Sequence, residues 1–193
     1  YDINQMKIYA LDIEVQCENG FPNVEEAAEE MLSITIKDMV TKQYYSWTTK
    51  EFDAPEGLIL DVSWTEQEML TNFLKWWAEN TPDILTGWNV NLYDMPYIAR
   101  RINRVLGEKW MKSLSPWNRA NEREVYVQGR RNYAYDISGV NILDYLDLYR
   151  KFTYSSQESY RLDHIAFVEL GQRKVDHSEY DNFKDFYTSD WQK

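Results

Sequence analysis

Alternation of apolar and polar residues predicts three β-strands near the start of the chain. Residues 7–15 alternate with a period of two and are rich in β-branched types, and residues 32–39 and 43–48 continue the strand pattern. A loop over 17–24, which contains glycine and proline, separates the first two strands. We therefore expect the chain to open with antiparallel strands.

Helical spacing replaces this alternation after the third strand. A Thr-x-x-Glu capping box precedes apolar residues at helical spacing and predicts a helix over 66–79. An apolar run over 84–88 predicts a buried strand that stops at Asn89. Asp94, with a proline in the first turn behind it, opens a second helix that extends to about Leu106.

The second half of the chain continues with a hairpin and further elements. Two β-rich runs around a Gly129-Arg130 turn predict a β-hairpin insertion near 122–137, with Arg130 and Arg131 at its protruding tip. Residues 141–152 predict another strand or helix, and residues 160–171 predict a helix. Three strands followed by alternating strands and helices indicate an α/β fold with a mixed sheet flanked by helices.

The composition is typical of one packed domain. The 193 residues are 44% hydrophobic and 16% aromatic, which argues against a disordered chain. There is no run of 18 apolar residues and no secretory leader, so we expect a soluble protein without a membrane segment. A single cysteine, Cys17, excludes an internal disulfide and a thiolate zinc site and suits a reducing cytoplasm.

The net charge of −11 argues at first against nucleic-acid binding, because affinity for phosphates comes from Lys and Arg. However, residues 100–131 hold nine of the 21 basic residues against three acids. Such a segment predicts a face that attracts a polyanion. The alternative is a basic helix and loop that are only solvated.

Asp12 and Glu14 are candidate ligands for a metal ion. They are two residues apart on a predicted strand, so both side chains leave the same face of the sheet. Mg²⁺ or Mn²⁺ binds such carboxylates together with substrate phosphate; the alternative is an exposed polar strand face. Asp94 could reach Asp12 and Glu14 if the strand that precedes it lies close to the first strand in the sheet. The alternative is that Asp94 only caps its helix.

The residues Asp12-Ile13-Glu14 resemble the first exonuclease motif of the proofreading domain in family B DNA polymerases, and Asn89-x-x-x-Tyr93-Asp94 resembles the second. Further matching segments occur in the same order along nearly the whole chain. They are GFPNVEEA, TGWN, LSPW, NILDYLDLYRKF and SYRLDHIAFVEL. This region is similar to that of replicative polymerases of tailed phages, and the resemblance implies a ribonuclease H-like fold.

The resemblance implies hydrolysis with two divalent ions, Mg²⁺ or Mn²⁺, of which one activates water and the other stabilises the leaving 3′ oxygen. In this numbering, Asp12 bridges both ions and Glu14 binds the ion that generates the nucleophile. Asp94 holds the second ion directly or through water.

The resemblance also implies contacts with the substrate. Asn89 and Tyr93 are expected to contact the terminal nucleotide. Phe21 stacks on a frayed base or, as an equal alternative, anchors its loop. Independently of the resemblance, the positive charge of residues 100–131 predicts that Arg130 and Arg131 contact DNA phosphates.

The sequence departs from the family at a third motif, Tyr-x-x-x-Asp, which supplies a fourth carboxylate. None of the 15 tyrosines is followed four residues later by Asp, and the His-x-x-x-x-Asp alternative is also absent. We interpret residues 1–193 as an exonuclease fragment of a larger polymerase, cut before this motif and impaired by the cut. Should the chain be fully active, Asp181 or Asp185 is the nearest candidate for the fourth ligand.

The expected function is removal of mismatched 3′-terminal nucleotides from single-stranded primer ends during DNA replication. Its partners are then primer-template DNA and the remainder of the polymerase chain, in the cytoplasm of a bacterial or phage-infected cell. Two alternatives remain open. One is a free-standing ribonuclease H-like nuclease, and the other is a non-catalytic DNA-binding module of the same fold.

Overall fold

The structure is a computed structural model that describes residues 2, 5–17, 22–173, 187, 189 and 191–192. Within these ranges the chain forms a mixed α/β arrangement of strands and helices. In chain order the elements are β1 (Ile8–Val15), β2 (Met31–Asp38), β3 (Tyr44–Thr48), β4 (Leu58–Val62), α1 (Glu66–Asn80), β5 (Ile84–Thr86), α2 (Asp94–Val105), α3 (Glu108–Lys112), β6 (Ala120–Val127), β7 (Arg130–Ile137), β8 (Asn141–Ile142), α4 (Tyr145–Phe152) and α5 (Leu162–Leu170).

Six of the strands form one mixed sheet in the order β4-β3-β2-β1-β5-β8. The first three strands pair antiparallel, which confirms the predicted opening of the chain. β4 runs parallel to β3, β5 runs parallel to β1, and β8 runs parallel to β5. β6 and β7 form a separate antiparallel hairpin. No helix among the described residues is long and apolar enough to cross a membrane.

The core lies between one face of this sheet and the helices α1 and α2. On β1 the side chains that alternate with Asp12 are buried, and Tyr9 packs against Trp76 of α1 with ring centroids 5.4 Å apart. On β3, Trp47 packs against Phe73 and Trp76 at 5.3 and 5.0 Å. α1 begins after Thr65, whose hydroxyl accepts a hydrogen bond from the N–H of Glu68, as the capping box predicted. The aromatic contacts fix β1 against α1 and leave the face that carries Asp12 outside the core.

The structure shifts some predicted boundaries and adds elements. β4 and α3 were not predicted, and β5 ends at Thr86 rather than at 88. The hairpin turn is Gln128-Gly129, one residue earlier than the sequence suggested, because both residues have a positive φ, of 51° and 77°. Two such residues in succession are what a tight two-residue hairpin turn requires. Arg130 accordingly begins β7 instead of occupying the turn itself.

Candidate active site

The carboxylates of Asp12 and Glu14 share the face of β1 opposite the core. The burial of β1 alternates along the strand, with Ile13 and Val15 buried while Asp12 is exposed and Glu14 is half-buried. The neighbouring strand continues this polar face, because Thr35 lies opposite Asp12 in the antiparallel register. The side chains of Asp12 and Glu14 therefore point to one side of the sheet, as the two-residue period predicted.

Asp94, the first residue of α2, comes to the same part of β1. Asp94 is only 3% exposed, and the backbone N–H groups of Asp94 itself and of Ile13 act to lower the pKa of its carboxyl. Burial and, after it, the negative charge of Asp12 raise the pKa of Asp94 well above its usual range. Tyr93 rather than Asp94 occupies the N-cap position of α2. Asp94 and Asp12 thus form a pair of neighbouring carboxylates.

A close backbone contact at Gly87 lets the chain after β5 reach β1. A Cβ atom at Gly87 would lie 2.6 Å from the carbonyl oxygen of Leu11 and 3.0 Å from Cβ of Val90. Any side chain there would collide with the backbone of β1, so this position needs glycine. The absence of a side chain at Gly87 brings the segment that leads to Asp94 against the strand that carries Asp12.

Asp144, which sequence reasoning missed, holds the loop between β5 and α2. Its carboxylate accepts hydrogen bonds from the backbone N–H groups of Asn89 and Asn91, both at 3.0 Å, and from that of Leu146 at 2.9 Å. Asn89 itself has φ of 65°, a left-handed conformation that asparagine tolerates. Burial raises the pKa of Asp144, and the three N–H groups oppose that rise. The buried carboxylate therefore fixes the loop that carries Asn89 and Tyr93.

Tyr93 lies beside the acidic side chains. Burial raises its pKa, and the charges of Asp94 and Glu14 raise it further. Its ring contacts Tyr97 with centroids 6.2 Å apart. The side chain of Tyr93 thus forms part of the wall of the site, next to all three predicted metal ligands.

Tyr187 is a second residue of the site that sequence reasoning missed. Its hydroxyl donates a short hydrogen bond to Oε2 of Glu14, and burial followed by the Glu14 charge raises its pKa. The backbone carbonyl of Tyr187 accepts a bond from Nζ of Lys50 at 2.9 Å. Asp190 is three residues after Tyr187 rather than four, so this tyrosine does not match the pattern Tyr-x-x-x-Asp.

The family model described as DNA polymerase family B, exonuclease domain, matches residues 2–165 of the chain. The chain belongs to this family. It is 30% identical over 201 residues to the DNA-directed DNA polymerase of Escherichia phage RB69 and to that of Enterobacteria phage T4, with 91% of this chain and 22% of each relative covered. The DNA polymerase of Thermococcus gorgonarius is 29% identical over 171 residues, with 88% and 20% covered. The chain spans about a fifth of the length of these relatives.

Membership of the exonuclease family agrees with the architecture. A six-stranded mixed sheet flanked by helices, with a separate β-hairpin, is consistent with the ribonuclease H-like fold that the sequence predicted. The hairpin spans β6 and β7, close to the predicted insertion near 122–137.

The donor chemistry of the candidate site fits an oxygen-preferring divalent cation, because Asp12, Glu14 and Asp94 offer carboxylate oxygens alone. A cation between Asp12 and Asp94 would offset the repulsion that raises the pKa of Asp94. Glu14, in contrast, already accepts the hydroxyl of Tyr187. Across the described ranges, no three Asp, Glu, His or Cys side chains are grouped so as to hold a metal ion.

The remaining residues predicted to contact the substrate are Arg130, Arg131 and Phe21. Arg130 and Arg131 are exposed at the hairpin end, and NH1 of Arg131 lies 3.8 Å from Oε1 of Glu124. Phe21 lies outside the described residues, as do the two candidate fourth ligands, Asp181 and Asp185.

The basic segment 100–131 does not form one continuous cationic face. Arg101 is buried and its guanidinium binds both carboxylate oxygens of Glu66 at 2.7 Å. Arg100 pairs with Glu122 and Arg123 pairs with Asp136, also at 2.7 Å. Charge counting along the sequence overstated the positive charge of this surface, because acids from other elements pair with several of its arginines.

Proposed function

We propose that this chain hydrolyses 3′-terminal nucleotides from single-stranded primer ends, as the 3′→5′ proofreading exonuclease of a DNA polymerase. The observation that carries the proposal is that the buried carboxylate of Asp94 neighbours the exposed Asp12, beside Glu14 and Tyr93, in a chain of the family B exonuclease domain. The phage relatives are named DNA-directed DNA polymerase and are several times longer than the aligned region. We therefore assign residues 1–193 to the exonuclease part of such a polymerase, which replicates DNA in the cytoplasm of a bacterial or phage-infected cell.

We propose Asp12, Asp94 and Glu14 as ligands for Mg²⁺ or Mn²⁺, with two ions in the complete enzyme. Such ions supply neutralisation of the scissile phosphate and a water of lowered pKa. Among the chain's own groups, the Asp12–Asp94 pair concentrates negative charge that favours a bound cation. The Tyr187 hydroxyl holds Oε2 of Glu14 in one orientation.

The proposal also assigns contacts with the DNA substrate to individual residues. Asn89 and Tyr93 are proposed to contact the terminal nucleotide, and the hydrogen bond from the Asn89 N–H to Asp144 and the closeness of Tyr93 to the carboxylates support this role. Phe21 is proposed to stack on the base of that nucleotide. Arg130 and Arg131 at the exposed hairpin end are proposed to contact phosphates of the strand.

Substitution of the paired carboxylates tests the reaction. Asp12→Asn and Asp94→Asn are made in the native protein. Each should lower Mg²⁺-dependent release of nucleotides by about 10²-fold or more, because misplaced reacting groups lower the rate by that factor. Asp147→Asn removes an exposed carboxylate of α4 and serves as the matched control. Release from a 3′-labelled single strand is measured with Mg²⁺ and with chelator. Equal rates for all four proteins would contradict the proposal.

A non-catalytic DNA-binding module is the second candidate. The hydrogen bond between Tyr187 and Glu14 favours it, because it engages a carboxylate that the hydrolytic reaction assigns to a metal ion. Such a module binds single-stranded DNA equally well with chelator and with Mg²⁺ and releases no nucleotide. Metal-dependent release by the wild-type protein rules this candidate out.

A further inference from the structure

The loop over 22–30, which leads into β2, is bound by side chains of α2. Four side chains of this helix donate hydrogen bonds to backbone carbonyls of the loop. They are Arg100 to Val24 at 2.9 Å, Arg101 to Ala27 at 3.1 Å and Ala28 at 2.8 Å, Arg104 to Glu26 at 3.2 Å, and the Tyr97 hydroxyl to Glu29 at 2.7 Å. The same helix begins at Asp94, so it contacts both parts of the site.

Arg100 differs from the others because it also binds the hairpin. Its Nε donates to Oε1 of Glu122 on β6 at 2.7 Å, while NH1 donates to the carbonyl of Val24. The guanidinium carbon lies 4.4 Å from the ring centre of Tyr133 on β7. The side chain is 14% exposed. One nearly buried guanidinium therefore connects the hairpin to the loop, with its orientation set by both partners.

The loop end of this connection is conformationally strained. Ala27 is fully buried and has φ of 42°, in the left-handed region that alanine rarely adopts. Such a conformation persists only where surrounding bonds over-determine it. The N–H of Ala27 donates to the carbonyl of Asn23 at 2.8 Å, and the N–H of Glu25 donates to Oδ1 of Asn23 at 2.8 Å. Loss of one anchor at Val24 should therefore loosen this turn.

The loop is also connected to the reacting groups. The N–H of Gln16, two residues after Glu14, donates to the carbonyl of Glu30 at 2.9 Å and extends the β1–β2 ladder into the loop. A change in the loop can thus reach Glu14 through backbone bonds alone.

We propose that Arg100 is a positioning residue for the exonuclease reaction. Its guanidinium couples the hairpin to loop 22–30 and, through that loop, to Glu14. When the hairpin moves as it engages a strand, Glu122 draws the guanidinium with it and shifts the anchor of Val24. The inference rests on the proposed function, since it assigns to the coupling an effect on nucleotide release.

Glu122→Gln tests the coupling without removing Arg100 itself. Asp136→Asn is the matched control, because the Arg123–Asp136 pair on the same hairpin has the same Nε–oxygen distance of 2.7 Å and does not involve α2. In the native protein, Glu122→Gln should speed hydrogen exchange at the amides of Glu25 and Ala27 about fivefold or more, the lower end of typical coupling effects. Asp136→Asn should leave these rates within about twofold.

A second measurement separates positioning from folding. Glu122→Gln should lower kcat for release from a single strand about fivefold with little change in KM, because the scissile geometry is affected more than DNA affinity. Arg100→Lys, which keeps the charge but not both fixed donors, should behave similarly.

Two results overturn the inference. Equal loop exchange in Glu122→Gln and Asp136→Asn shows that the hairpin and the loop are not coupled. Faster loop exchange with unchanged kcat shows that Arg100 does not position the reacting groups. A wild-type protein that releases no nucleotide instead refutes the proposed function, and the exchange rates alone then decide whether the two elements are coupled.

Discussion

Arg101→Met should destabilise the fold more than any substitution of an exposed arginine. Arg101 and Glu66 form a bidentate pair whose side chains are 8% and 7% exposed, with Nε–Oε1 and NH2–Oε2 both at 2.7 Å. Oε1 of Glu66 also accepts the N–H of Met31 at 2.8 Å. Methionine at 101 removes the cation and leaves the Glu66 carboxylate charged and nearly excluded from water.

Breaking a buried pair in this way costs about 3–5 kcal/mol, because the remaining charge loses its partner without regaining hydration. For a chain of this size each kcal/mol corresponds to roughly 2–4 °C in Tm, so we expect a decrease on the order of 6–20 °C. Arg101→Met combined with Glu66→Gln removes both charges and should recover much of that loss. The two single variants and the double variant form a cycle that isolates the coupling between the side chains.

Thermal and urea unfolding followed by circular dichroism measure this effect. Lys112→Met is the control, because the Lys112–Glu108 pair has the same 2.7 Å separation while its side chains are 40% and 67% exposed. That substitution should not change Tm measurably, since exposed pairs are hydrated and screened. If Arg101→Met lowers Tm no more than Lys112→Met does, then burial does not govern the contribution of these ion pairs and the reasoning is wrong.

Three further outcomes are expected. Burial and a neighbouring charge raise the folded-state pKa of Asp94, so the contribution of Asp94 to stability is present at low pH and is lost as pH rises through that pKa. Asp94→Asn should therefore raise Tm at neutral pH in the presence of chelator and should not raise Tm in acid. Gly87→Ala should cost about 1–3 kcal/mol in urea unfolding, since its Cβ meets the carbonyl of Leu11 at 2.6 Å; an unchanged midpoint would show that the backbone yields easily. Replacing Arg130 and Arg131 by Ala should reduce the log–log salt slope of DNA binding by roughly 0.7–0.9 per lost phosphate contact, and an unchanged slope means that they do not bind phosphates.

Local patterns sufficed for the strand that carries the carboxylates. The period of two in β1 predicted that Asp12 and Glu14 share a face, and the burial of Ile13 and Val15 confirms it. The helix that begins at Asp94 was also predicted, because an acidic first residue, a proline in the first turn and apolar spacing are all local signals. Such features need no knowledge of distant parts of the chain.

Contacts between distant residues could not be predicted from these patterns. Asp144 binds the N–H groups of Asn89 and Asn91 across more than 50 positions, and its sequence context indicates only a helix cap. Tyr187 meets Glu14 across 173 positions. Counting charges included Arg101 in a segment expected to attract a polyanion, whereas Arg101 pairs with Glu66 of a different helix. Pairing of charges depends on tertiary packing, which composition does not encode.

The position of Asp94 itself argues that the site serves binding rather than stability. A carboxylate that is nearly excluded from water beside the charge of Asp12 disfavours the folded state at neutral pH, whereas asparagine at the same position would carry no charge. The fold nevertheless brings Asp94 there by a specific route: glycine at 87 permits the close approach to Leu11, and Asp144 fixes the loop that follows. Features that break a local stability rule are expected where function requires them. Charge repulsion that a cation would relieve is therefore the physical reason to seek metal binding first at the Asp12–Asp94 pair.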